Sequence, residues 1–131
     1  MKQTTSKTII STPDAPAAIG AYSQAVIANN TLYISGQIPL DPKTMEAVEG
    51  GFEAQARQVF ENLSAVLKAA NCDWNNVAKL NVYMTDLSVF AKLNVIMSEY
   101  VADPYPARAA VQVAALPRGV EIEIDAVAFV D

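Results

Sequence analysis

Apolar and polar positions change period several times along this 131-residue chain, and each change marks an element. Phe52, Ala56, Val59, Phe60, Leu63, Val66, Leu67 and Ala70 recur at spacings of three and four, with Glu53, Arg57, Glu61 and Lys68 elsewhere. That spacing predicts a helix with one buried face. Asn71 suits its end, because asparagine tolerates the left-handed conformation that closes a helix. Residues 77–85 alternate instead, with Leu80, Val82 and Met84 on one side and Lys79, Asn81, Tyr83 and Thr85 on the other, which predicts a two-faced strand. Asp86 can cap a second helix with the apolar face Phe90, Leu93, Met97, Tyr100 and Val101, which Asp103-Pro104 stops. Two further strands, 107–115 and 120–130, flank Leu116-Pro117-Arg118-Gly119.

Upstream, residues 7–11 form a short strand candidate, and Pro13, Pro16 and Gly20 make 12–22 a loop. Residues 24–28 and 31–35 flank Asn29-Asn30, a pair suited to the positive φ of a tight hairpin. Turn chemistry at Pro39-Leu40-Asp41-Pro42-Lys43 opens a second loop that runs to Gly50-Gly51. The order β-β-β-α-β-α-β-β predicts an α+β fold, one β-sheet packed on two α-helices. No repeat or composition break divides it, so residues 1–131 are expected to form a single domain. In the last strand Val120, Ile122, Ile124, Ala126 and Ala128 face one way, and Glu121, Glu123, Asp125, Val127 and Phe129 the other. A mixed second face points to an oligomer contact.

Composition narrows the chemistry. With 52% apolar and 18% charged residues the chain can bury a core. Nine scattered cations against 14 acids leave a net charge of −5, which opposes nucleic acid and anionic membrane surfaces as partners. Cys72 is alone, so no internal disulfide is possible, in keeping with a reducing compartment. The first twelve residues lack the apolar core of a secretory signal, and no run of about 18 apolar residues exists to span a bilayer, so a cytoplasmic location is expected. Histidine is absent. That removes Ser-His and Cys-His nucleophile pairs and histidine-rich zinc sites, leaving carboxylates, tyrosine, arginine, lysine, backbone amides and water.

Arg108 is the only charged side chain between Asp103 and Arg118. It is either snorkelling to the surface, paired with a structural carboxylate, or free for an anionic ligand. Glu123, between Ile122 and Ile124, is either an exposed position on a two-faced strand or a partly buried acid with a raised pKa suited to holding water. If their strands pair, Arg108 and Glu123 form one site. Asn94 interrupts the apolar face of the second helix and needs a partner, in the backbone or a ligand. Tyr22 either caps the core from its loop or faces a ligand.

Ala15-Pro16-Ala17-Ala18-Ile19-Gly20-Ala21-Tyr22-Ser23-Gln24, Ser35-Gly36-Gln37-Ile38-Pro39, Gln55-Ala56-Arg57-Gln58, Thr85-Asp86-Leu87, and Pro106-Ala107-Arg108 through Ile122-Glu123-Ile124 occur in one order across nearly the whole chain. Together they resemble the RidA/YjgF family of reactive-intermediate deaminases. The resemblance implies a chorismate-mutase-like fold with a mixed sheet, assembled as a homotrimer with clefts between subunits. It implies hydrolysis of 2-aminoacrylate-type enamines and 2-imino acids to 2-keto acids and ammonia, without metal or organic cofactor. By position, Arg108 matches the arginine that pairs with the substrate carboxylate, and Glu123 the acid that positions the attacking water. Tyr22, Ser35, Gly36, Asn94 and Ala110 fall where the family lines its cleft. Many relatives carry a hydroxyl residue and then a cysteine where this chain has Ala109 and Ala110, so thiol chemistry is impossible there. Gly20-Ala21-Tyr22 likewise stands where many read Gly-Pro-Tyr. The alternative is a non-catalytic trimer of the same fold that binds small carboxylates or regulates a partner. A nuclease or translation-inhibitor role, also attached to the family, is opposed by the charge and the missing histidine.

Overall fold

The computed structural model describes residues 6–131; the first five residues of the N-terminal segment, and of the expected 1–131 domain, lie outside the described residues. The predicted element order is the observed one. Helix α1, Gly51–Ala69, starts after Gly50, whose φ of 112° is open only to glycine. It buries Ala56, Val59, Phe60, Leu63, Val66 and Leu67, the stripe set by its spacing. Asn71 closes it with a φ of 59°. Asn62, also buried, donates to the carbonyls of Ile38 and Leu40 at 3.2 and 3.0 Å, tying the helix to the loop after the third strand.

Six strands form one mixed sheet: β1 (Thr8–Ile10), β2 (Ala25–Ala28), β3 (Thr31–Gln37), β4 (Val77–Met84), β5 (Ala107–Gln112) and β6 (Ile122–Phe129). The spatial order is β1-β2-β3-β6-β4-β5, with β4 and β5 parallel and all other pairs antiparallel. Asn29 and Asn30, at φ 49° and 61°, make the hairpin turn between β2 and β3. In β3 the pairing steps from Ile34 opposite Ala126 to Gln37 opposite Ile124, so Ser35 and Gly36 together oppose Asp125. This is a β-bulge, which bends the strand and re-aims its side chains.

Two expectations need correction. The last two strands are not neighbours, because β4 runs between β5 and β6. The alternation of β6, fully buried on one face and half-buried on the other, suits a central strand, whereas every side chain of β5 is exposed or half-exposed, as at an edge. The second helix is also shorter than its apolar spacing predicts. Asp86 caps a 3-10 turn, Leu87–Val89, by accepting from the Ser88 amide at 2.9 Å, and α2 proper is Phe90–Met97. Ser98 Oγ donates to the Val95 carbonyl at 2.6 Å and competes with the helical ladder, so Tyr100 and Val101 lie beyond the helix.

The helices cover one face of the sheet, where Leu32, Ile34, Leu80, Val82, Met84, Ile122 and Ile124 are buried. Each such side chain contributes about 1.5–3 kcal/mol of transfer free energy. The opposite face is mixed, as the alternation predicts: Tyr33 and Phe129 are about half exposed, beside the polar groups of Asn81, Tyr83, Glu123 and Asp125. Among the described residues no helix is long and apolar enough to cross a membrane.

Candidate active site

Arg108 lies on β5 opposite Leu80, on the helix-covered side, but at the sheet edge where its side chain remains exposed. Its Nη1 donates to Asn94 Oδ1 at 2.7 Å and to Met97 Sδ at 3.5 Å, and its Cζ lies 4.8 Å from the Phe90 ring centroid. All three contacts come from α2 and all are neutral. The sole salt bridge among the described residues joins Arg57 to Glu99, so a structural carboxylate partner within the protomer is ruled out for Arg108. A guanidinium held by neutral acceptors keeps its full charge for an anion, and Nε and Nη2 stay available for a two-pronged bond to a carboxylate. A cavity of about 420 Å³ opens beside it, walled by Met97, Ser98, Tyr105 and Pro106. Ala110, two residues along on the same side, is half-buried against the core and offers room but no reactive group.

Glu123 lies on the other face of the sheet, paired across β4 with Tyr83. A Cβ placed on Gly36 would overlap the Glu123 carboxylate, lying 2.9 Å from its Cδ, so a larger residue at the bulge would push the acid out of its present position. Burial, and then the neighbouring Asp125 carboxylate, push the Glu123 pKa above the usual range. Asp125 is itself fixed by Asn81 Nδ2 at 2.8 Å and by the Tyr83 hydroxyl at 3.1 Å. Ser35 Oγ donates to the Ser23 carbonyl at 2.6 Å, which commits its proton and leaves its oxygen as an acceptor. Tyr22 is exposed, its hydroxyl accepting from the Ile19 amide at 3.3 Å. It lines two openings, one of about 480 Å³ with Ser35 and Tyr33, the other of about 300 Å³ with Gly36 and Ile38.

The candidate residues therefore form two groups. Arg108, Asn94 and Ala110 share one edge of the sheet, and Glu123, Gly36, Ser35 and Tyr22 gather toward the other side and face. β4 separates Arg108 from Glu123, and Leu80 and Tyr83, their partners on that strand, point to opposite faces. Neither alternative for Asn94 was complete, since its side chain holds the arginine. Phe90 was missed because an aromatic at helical spacing counts as core, although it sits four residues before Asn94 on the same side of α2. Asp125 was legible as a neighbour of Glu123, two residues on along the same strand face. No group of three or more potential metal ligands occurs among the described residues.

A family model described as Endoribonuclease L-PSP matches residues 12–130. The chain belongs to this family, the RidA/YjgF family. A mouse relative named 2-iminobutanoate/2-iminopropanoate deaminase is 52% identical over 120 residues, covering 92% of this chain and 89% of the mouse protein. A RutC family protein of Pyrococcus horikoshii is 50% identical over 123 residues, 94% of this chain and 98% of its own length. The crystal structure of RidA from the Antarctic bacterium Psychrobacter matches with a TM-score of 0.90 at 55% identity, covering 94% of this chain and 99% of that one. The sheet with its two helices is thus the chorismate-mutase-like fold of the RidA family.

Proposed function

We propose that this RidA-family chain hydrolyses 2-imino acids, and the enamines that tautomerise to them, to 2-keto acids and ammonia. The observation that carries the reading is Arg108, an uncompensated guanidinium beside a cavity, in a chain about half identical to a named imine deaminase. Arg108 binds the substrate carboxylate, and the ionised Glu123 accepts a hydrogen bond from water and aims it at C2. The water oxygen bonds to C2 as one of its protons passes to the Glu123 carboxylate, and the C=N π pair moves to nitrogen, which takes that proton back from the acid. The resulting carbinolamine collapses as its hydroxyl proton is relayed through Glu123 to nitrogen, the C–N bond breaks, and ammonia leaves as the keto group forms. Imines hydrolyse unaided, so orientation and charge placement need supply only part of a modest barrier.

Because Arg108 and Glu123 occupy opposite faces across β4, the cleft is completed between copies, for which we propose a homotrimer. The half-exposed Tyr33 and Phe129 on the open face and the sparsely charged edge of β5 suit burial against a neighbour. The word endoribonuclease in the family description does not outweigh a net charge of −5 and the lack of histidine.

The direct test adds the purified protein to freshly generated 2-iminobutanoate and follows keto acid and ammonia together. Both are expected to appear faster than the spontaneous rate. An unchanged rate alongside calorimetric binding of 2-ketobutyrate would replace the enzyme by a carboxylate-binding protein. A second expectation concerns Asn94→Asp. The new carboxylate keeps the bond to Arg108 but compensates its charge, so KM should rise at least about tenfold with a smaller change in kcat.

A further inference from the structure

We propose that Phe90 is a positioning residue, a platform that sets the plane of the Arg108 guanidinium; the inference rests on the carboxylate-clamp reading above. Arg108 is exposed and carries a long, freely rotating stem, yet its side chain is held at three points, of which Asn94 and Met97 both engage Nη1. Only one of the two bonds is strong, because the second goes to a thioether sulfur, a weak acceptor, so a single good hydrogen bond leaves the planar group room to turn about it. The ring of Phe90, 4.8 Å from Cζ, supplies the missing restraint, since its negative face attracts the cation. Phe90 can do so because its own place is fixed. It opens α2, packs partly buried against the core, and follows a turn whose Leu87 amide donates to Gln112 Oε1 at the end of β5, at 2.9 Å. The strand that carries the arginine and the helix that carries the ring are thereby tied together. A ring is also a neutral restraint, so it orients the cation without consuming the charge a carboxylate needs.

The test varies the ring's electrostatics without its shape. Phenylalanines of increasing fluorination at position 90 weaken the negative face progressively. KM for the imino acid is expected to climb along the series, by about twofold to thirtyfold at the end, with kcat and melting temperature little changed. The Kd of 2-ketobutyrate should weaken in parallel. Phe90→Leu should match the fluorinated end of the series, and Phe90→Tyr should restore the parent KM. A flat KM across the fluorinated set, or a leucine variant as good as tyrosine, overturns the proposal. Arg108→Ala run beside them separates the two ideas: if it stays active the clamp reading itself fails, and if it is inactive while the series is flat only the role of Phe90 is lost.

Discussion

Arg108→Ala is expected to abolish the acceleration of imine hydrolysis while the chain still folds and assembles. Truncating one partner of a desolvated, hydrogen-bonded charge pair costs about 2–5 kcal/mol, which is roughly 30-fold to 5,000-fold in kcat/KM. That span would bring turnover close to the spontaneous reaction. The fold has little stake in the side chain, because Arg108 is exposed and its protein contacts are to neutral groups on α2. Thermal denaturation should therefore be nearly unchanged, as for most exposed substitutions. Arg108→Lys should recover only part of the loss, since an ammonium cannot offer two parallel donors to a carboxylate. Parallel keto acid and calorimetric assays of the three proteins decide the matter; an alanine variant with full activity sinks the clamp.

Glu123→Gln should lower kcat by about two to four powers of ten and leave 2-ketobutyrate binding in place, the effect of losing a positioned acid-base group. The pH dependence gives this a sign. Burial and Asp125 raise the Glu123 pKa, and the proposed role requires the ionised form, so activity should fall as pH drops through that raised value. Asp125→Asn removes the neighbouring negative charge and should carry the acid limb to lower pH. Stability moves the other way from activity. A folded-state pKa above the unfolded one means that ionisation costs more in the fold, so above that pKa the parent carries a cost that Glu123→Gln lacks. The variant should melt at or above the parent at neutral pH, and the difference should vanish below the unfolded carboxyl pKa. Loss of binding with normal residual turnover would contradict the proposed role.

The two inactive variants together test the shared cleft. If each site takes Arg108 from one copy and Glu123 from the next, unfolding and refolding a mixture of Arg108→Ala and Glu123→Gln chains restores about a quarter of the sites. No recovery in mixed trimers places both groups in one protomer's site.

Local features of the fold were legible because local chemistry dictates them. The spacing of Ala56, Val59, Phe60 and Leu63 forces a buried stripe, two asparagines accept the hairpin's positive φ, and Asp86 caps the turn that leads into α2. The insertion of β6 between β3 and β4 was not, since either neighbour satisfies its alternation and only the assembled sheet decides. The same limit hid the site's geometry. Gly36 and Glu123 are 87 positions apart, and nothing near Gly36 announces that a carboxylate will come to lie against it. Arg108 stood out by its isolation among small residues, but its cradle was disguised as core: Phe90 and Met97 are apolar side chains at helical spacing, and only their approach to the guanidinium shows a second use.

The edge strand β5 has a meaning for the life of the protein outside its chemistry. Ala107–Gln112 presents an open row of backbone groups flanked by small apolar side chains, with Arg108 as the only charge to discourage another strand from adding to it. A newly made chain therefore offers a pairing edge at the same strand that carries its arginine. If the proposed assembly covers this strand, substitutions that slow it should show up first as lost soluble yield, before any defect in a surviving molecule can be measured.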